Sequence, residues 1–120
     1  MAIQRFAQLE AWQYAHKLVL SIYRSSKCLP ADERFGLVLQ LRRAAVSVPA
    51  NIAEGFKRRT SRDKVHFHNI SESSLEELRY YIILCHDLEY GNETDVEPLS
   101  EATERVARLI GGLIRSIRVQ

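Results

Sequence analysis

Seven cations crowd one short part of this chain. Arg42, Arg43, Lys57, Arg58, Arg59, Arg62 and Lys64 fall within residues 42–64 against only Glu54 and Asp63, a local net charge of +5. Neutralising a phosphate backbone takes that density of positive charge, and such contact is indifferent to sequence. Readout of unpaired bases calls for aromatic platforms as well. Only Phe56 and Phe67 stand nearby, and both also fit a core. Residues 87–104 are the counterpart: Asp87, Glu89, Glu93, Asp95, Glu97, Glu101 and Glu104, with no lysine or arginine. The pair of segments admits a second interpretation. The basic one docks on an acidic surface, of another copy or of a protein partner. Within the basic segment Glu54 stands four residues before Arg58, a favourable helical pair.

Other chemistry finds little to work with. The histidines are His16, His66, His68 and His86. His66 and His68 lie two apart, so on a helix they diverge and cannot grip one metal. His68 and Glu72, four apart, have ligand spacing, but two ligands make no site, and no second Glu-x-x-His accompanies them as di-iron bundles require. No glycine-rich phosphate loop is present, and no serine or cysteine nucleophile sits in a catalytic turn. Glu76 and Glu77 read as a solvated flank. The expectation is a protein without enzymatic activity, metal or cofactor.

The elements that position the basic residues read as four helices. The first covers about Phe6–Lys27: Leu9, Trp12, Ala15 or His16, Val19 and Ile22 or Tyr23 recur at three and four. Leu29-Pro30 ends it. Asp32 reads as the N-cap of the second helix. Phe35, Leu37, Val38, Leu41, Ala44, Ala45, Val48, Ile52 and Phe56 give that helix an apolar face wider than one stripe, as if buried on two sides, the second against another subunit. Thr60 caps the third helix, with Ser61 a rival, and the helix runs about Arg62–Tyr90. Phe67, Ser71, Ser74, Leu78, Tyr81, Cys85 and Leu88 form its seam. Ser71 and Ser74 are short enough to sit against the alanine-rich centre of the second helix. Gly91-Asn92 stops the third helix. Thr94 with Glu97 makes a capping box for the fourth, with Pro98 in its first turn. Leu99, Ala102, Val106, Leu109, Ile110, Leu113 and Ile117 line the fourth helix, where Gly111-Gly112 implies the close approach of a neighbour. No alternating stretch competes as a strand. The fold class is all-α, an antiparallel up-down-up-down four-helix bundle, as one domain over residues 1–120.

The second helix carries an anomaly. Pro49 sits in its middle, where it removes an amide and crowds the carbonyl of Ala45, at a usual cost of about 3 kcal/mol. Small residues surround it. That combination reads as a packing device, with Asn51 and Glu54 the polar exceptions.

Val46-Ser47-Val48-Pro49-Ala50-Asn51-Ile52-Ala53-Glu54-Gly55, extended back to Arg42-Arg43, resembles the signature of the four-helix-bundle proteins encoded in intervening sequences of bacterial 23S ribosomal RNA genes. Phe6–Ala15, Ser73-Ser74-Leu75-Glu76-Glu77-Leu78 and Leu109–Ser116 match further parts of that pattern in the right order. The resemblance implies a bundle that assembles as a ring-shaped homopentamer. The accessory protein of diversity-generating retroelements is similar in architecture, and it binds nucleic acid and a reverse transcriptase through a basic surface. Arg43, Pro49, Asn51, Glu54 and Gly55 match the motif by position, with Pro49, Ala50, Ala53 and Gly55 in structural roles.

The remaining composition agrees with a soluble domain. Of 120 residues, 46 % are apolar and 27 % charged, with a net charge of +2. Cys28 and Cys85 are too few for a disulfide scaffold and read as free thiols. There is no leader-like start and no stretch long enough to span a bilayer. The expectation is a cytoplasmic, homo-oligomeric protein that binds RNA or DNA backbone through the seven cations. The alternative is an assembly or adaptor module that binds protein alone.

Overall fold

A computed structural model describes residues 5–91 and 93–119, the side chains of 93–95 and 119 excepted. Four helices account for most of it: α1 Glu10–Ser26, α2 Leu37–Lys57, α3 Ser61–Asp87 and α4 Glu93–Val119. Short 3-10 turns at Phe6–Gln8 and Ala31–Glu33 precede α1 and α2. Among the described residues each helix packs alongside two neighbours, in the ring order α1, α2, α3, α4, with the diagonal pairs facing each other across the core. Short links reverse the chain each time, which gives an up-down-up-down bundle of 46 × 25 × 20 Å.

The inward stripes follow the apolar spacing. Ala15, Leu18 and Ile22 of α1 meet Val48 and Ile52 of α2, Leu75 and Leu78 of α3, and Val106 and Ile110 of α4 in one core. On α1 the inward choices fall to Ala15 and Ile22. His16 is outside, stacked on the half-buried Trp12 at 5.0 Å, and Tyr23 is outside as well.

Small residues seat α2 on α3. Ser71 is fully buried and its hydroxyl donates to the Val48 carbonyl at 2.9 Å. The Ser47 and Ser74 hydroxyls share a 2.7 Å hydrogen bond. Asn51 donates from Nδ2 to the Ser47 carbonyl at 2.8 Å and to its hydroxyl at 3.0 Å. The helix passes unbroken through Pro49, whose ring is buried. Side-chain donors thus reach the carbonyls of Ser47 and Val48 in the turn that holds the proline. Asn51 is a hydrogen-bonding member of this seam, and Glu54 is exposed on the flank.

Several local expectations are corrected. Asp32 does not cap α2. Gly36 is the N-cap residue, and Glu33 supplies the acceptor, taking the Leu37 amide at 3.3 Å and the Tyr90 hydroxyl at 3.0 Å with its other oxygen. Phe35 lies before the helix and is 83 % exposed. Thr60 does cap α3, accepting the Asp63 amide at 3.1 Å. That helix ends at Asp87, so Leu88 drops out of the core. Glu89 takes the left-handed conformation with φ 62°, and the amides of Glu89 and Tyr90 close on the carbonyls of His86 and Cys85. This is a Schellman ending built on Glu89, upstream of the glycine expected to supply it. Gly91 also has positive φ, at 138°. Asn92, and the Thr94 half of the capping box, lie outside the described residues. Pro98 stands in the second turn of α4 rather than the first. At Gly111 and Gly112 a Cβ would meet only the side chain of Arg115, at 3.4 and 3.8 Å, so no neighbouring helix approaches there.

Candidate nucleic-acid interface

The α2–α3 corner is built from its caps. Lys57 closes α2, Arg58 turns extended, and Thr60 starts α3, so Lys57, Arg58, Arg59 and Arg62 are forced onto one end of the bundle. Lys57, Arg59 and Arg62 are exposed and have no ion-pair partner among the described residues. Arg58 lies over the Phe67 ring at 4.4 Å and reaches Glu54 at 2.9 Å. Both members of that pair are about half exposed, so it holds Arg58 in place at a gain of only about 0.3–0.5 kcal/mol. Glu54, Lys57, Arg58, Arg59, Thr60 and Asp63 together enclose a shallow depression.

Two of the seven cations do structural duty. Lys64 donates from Nζ to the Phe56 carbonyl at 2.9 Å and lies 3.5 Å from that of Gly55. Its charge therefore sits at the negative end of α2. Arg42 donates from Nε to Ser26 at 2.9 Å, reaches the Tyr23 carbonyl at 3.4 Å and lies over the Tyr23 ring at 4.5 Å, which ties down the end of α1. Arg43 is exposed and without a partner among the described residues, but fourteen residues of one helix separate it from Lys57, about 21 Å. The seven therefore do not form one patch. Other cations share that end of the bundle. Arg115 and Arg118 end α4, and Arg5 leads into α1, at the same end of the bundle. Only the antiparallel topology brings them there. Asp32, Glu33, Asp87, Glu89, Glu97 and Glu101 gather toward the opposite end, where they outnumber Arg24, Lys27 and Arg34.

Beneath the corner lies a histidine that linear spacing weighed only as a metal ligand. His68 is 1 % exposed, and its Nδ1 has no hydrogen-bond partner among the described residues. Its imidazole fills the space beside Gly55, where an added Cβ would come within 2.6 Å of the ring carbon Cε1. Among the described residues no group of three ligating side chains gathers, around His68 or elsewhere. Burial, and then the Lys64 charge, depress its pKa below 6.5. The native fold thus favours neutral His68, while the unfolded chain takes up the proton near pH 6.5. Stability from this site is complete above that pH and is lost as pH falls through it toward the folded value. Urea titrations should show stability falling between pH 7.5 and 5, at up to about 1.4 kcal/mol per pH unit from this group. His68→Phe should remove that part of the slope.

Cys28 is exposed and Cys85 buried, and neither forms a disulfide. Among the described residues no helix is long and apolar enough to cross a membrane.

Comparison with known proteins follows the same outline. No curated protein matches the chain. The crystal structure of a protein of unknown function from the S23 ribosomal protein family of Bacteroides thetaiotaomicron VPI-5482 is similar, with a TM-score of 0.81 over 87 % of this chain and 97 % of that one. At 21 % identity the likeness is one of fold. The model of the 23S rRNA-intervening sequence protein family matches residues 7–112, which take in the Pro49 motif, the serine seam and the basic corner. The chain belongs to the 23S rRNA-intervening sequence protein family.

Proposed function

We propose that this protein is a non-enzymatic, cytoplasmic, homo-oligomeric bundle that holds the phosphate backbone of RNA or DNA at its α2–α3 corner. The observation that supports this reading is the set Lys57, Arg59 and Arg62. All three are exposed and unpaired among the described residues, beside an Arg58 fixed by Glu54 and Phe67. Cations left without carboxylate partners retain their full attraction for phosphate. Rings that might stack bases are engaged elsewhere, Phe67 under Arg58 and Phe56 half-buried near Lys64. The recognition expected is therefore of backbone and not of sequence. Fluorescence anisotropy with labelled RNA and DNA, single- and double-stranded, tests it. Affinity should fall steeply from low to moderate salt, and a salt-independent affinity, or none, sinks the proposal.

Self-association is supported by the outer face of α2. Leu39 and Val46, each 41 % exposed, and Ala50 follow one another at spacings of seven and four on the surface of α2. We expect light scattering at micromolar concentration to give a multiple of the 13.8 kDa monomer mass, five copies if the ring implied by resemblance applies. Val46→Glu should shift it toward monomer, and a monomeric parent protein contradicts this part. The separation of basic and acidic ends favours a second reading, in which the corner docks on protein, another copy included. Capture of a defined protein without retention of nucleic acid distinguishes it.

A further inference from the structure

The end of the bundle opposite the basic corner contains a cavity of about 250 Å3. Ile22, Leu41, Ile82 and Leu99, one from each helix, form its walls. Ile22, Leu41 and Ile82 belong to the core and Leu99 packs half-buried against them, so the cavity is apolar at its base and opens to solvent beside Arg24 and Cys28. Its frame is fixed on two sides. The Schellman ending of α3 folds Tyr90 over the cavity, and the Tyr90 hydroxyl is anchored 3.0 Å from Glu33 in the α1–α2 link. Arg24 also lines the cavity and is exposed. Among the described residues its guanidinium makes a long 3.4 Å contact to Ser21 and has no carboxylate partner.

The geometry points to a binding site for a small apolar carboxylic acid, its hydrocarbon part among Ile22, Leu41, Ile82 and Leu99 and its carboxylate on Arg24. An apolar interior with one charged group at the edge is the usual composition of a small-molecule site. A guanidinium favours a carboxylate because the two form paired, charge-assisted hydrogen bonds. The space is about eight times the roughly 30 Å3 that a water molecule takes up in the liquid, enough for a small acid such as hexanoate or benzoate.

Cys85 lines the same cavity and reports on it. Its thiol is buried, and its pKa is raised by that burial. The intact protein is incubated with hexanoate, benzoate or 1-hexanol, then treated with N-ethylmaleimide, and modification of Cys85 is followed by peptide mass spectrometry. Cys28 stands at the rim of the same cavity, so a free cysteine peptide added to the reaction serves as the reference. A bound acid should raise the melting temperature and slow Cys85 modification about tenfold once it is tenfold above its Kd. The neutral alcohol should protect more weakly, and Arg24→Gln should abolish the difference between acid and alcohol. Leu99→Phe, or Ile82→Trp if the first fails to fold, should fill the space and remove protection. The proposal is overturned if neither acid raises the melting temperature or slows the reaction. It is equally overturned if alcohol and acid protect alike in the parent protein, or if protection persists in the filled variant.

Discussion

Gly55→Val is expected to destabilise the bundle by about 3 kcal/mol, and Gly55→Ala by about 1 kcal/mol, although alanine and valine are both better helix formers than glycine. The sign is set by the imidazole. Any Cβ at Gly55 falls 2.6 to 3.0 Å from three atoms of the His68 ring. That ring is 1 % exposed and packed between helices, so it cannot swing into solvent without opening the α2–α3 seam. Overpacking a core costs about 1–3 kcal/mol, against roughly 1 kcal/mol gained when alanine replaces a helical glycine. Valine adds two methyls and a stiff χ1 to the same clash. A double-mutant cycle isolates the cause. In a His68→Ala background the obstruction is gone, and Gly55→Ala should become stabilising by up to about 1 kcal/mol in urea denaturation. Equal destabilisation in both backgrounds would show that the imidazole is not what requires glycine.

Replacing Lys57, Arg58, Arg59 and Arg62 together by glutamine carries the other large expected effect, on binding and not on folding. If each neutralises one phosphate of a duplex, log affinity falls with log salt at a slope of about −3.6, so each doubling of salt costs roughly twelvefold. Removing all four should flatten the slope by that amount and lower affinity by roughly three orders of magnitude at 0.1 M salt. The melting temperature should move little, because all four are exposed and only the surface contacts of Arg58, with Glu54 and with the Phe67 ring, are lost. Arg43→Gln is the control. At about 21 Å from Lys57 it should leave corner binding unchanged, and a loss equal to one corner residue would extend the interface along α2. Lys64 and Arg42 are unsuitable for the experiment, since each holds a helix end through backbone carbonyls.

The bundle itself was legible because apolar spacing over long helices carries the packing directly. Ser71 and Ser74 could be placed against α2 from their size and position alone, and Thr60 from the identity of its third neighbour. Local competitions were less legible. Asp32 and Glu33 are both acceptable near a helix start, and the choice fell to Glu33 because Tyr90, 57 residues away, also needs its carboxylate. Phe35 was counted in the core because the helix was begun too early. The basic site was half visible. Composition identified Lys57, Arg58, Arg59 and Arg62, but charge counting cannot tell a free cation from one capping a helix, as Arg42 and Lys64 do. Nor could it gather Arg5, Arg115 and Arg118 to the same end of the bundle, because that requires knowing which helix ends coincide. Gly55 belonged to a recognised pattern, yet the reason for it, a buried ring on the facing helix, lies thirteen residues further on.

The division of charge along the 46 Å axis makes the molecule an electrical lever. Positive charge is in excess at the end with Lys57, Arg58, Arg59 and Arg62, and negative charge is in excess at the other despite Arg24, Lys27 and Arg34, so the rod is polarised along its length. An external field exerts torque on such a body before any surface meets. Near a polyanion the rod should rotate to present Lys57, Arg59 and Arg62 first, with the end bearing Asp87 and Glu97 trailing. Within about one Debye length, some 8 Å at physiological ionic strength, approach is thus narrowed from all orientations to a few.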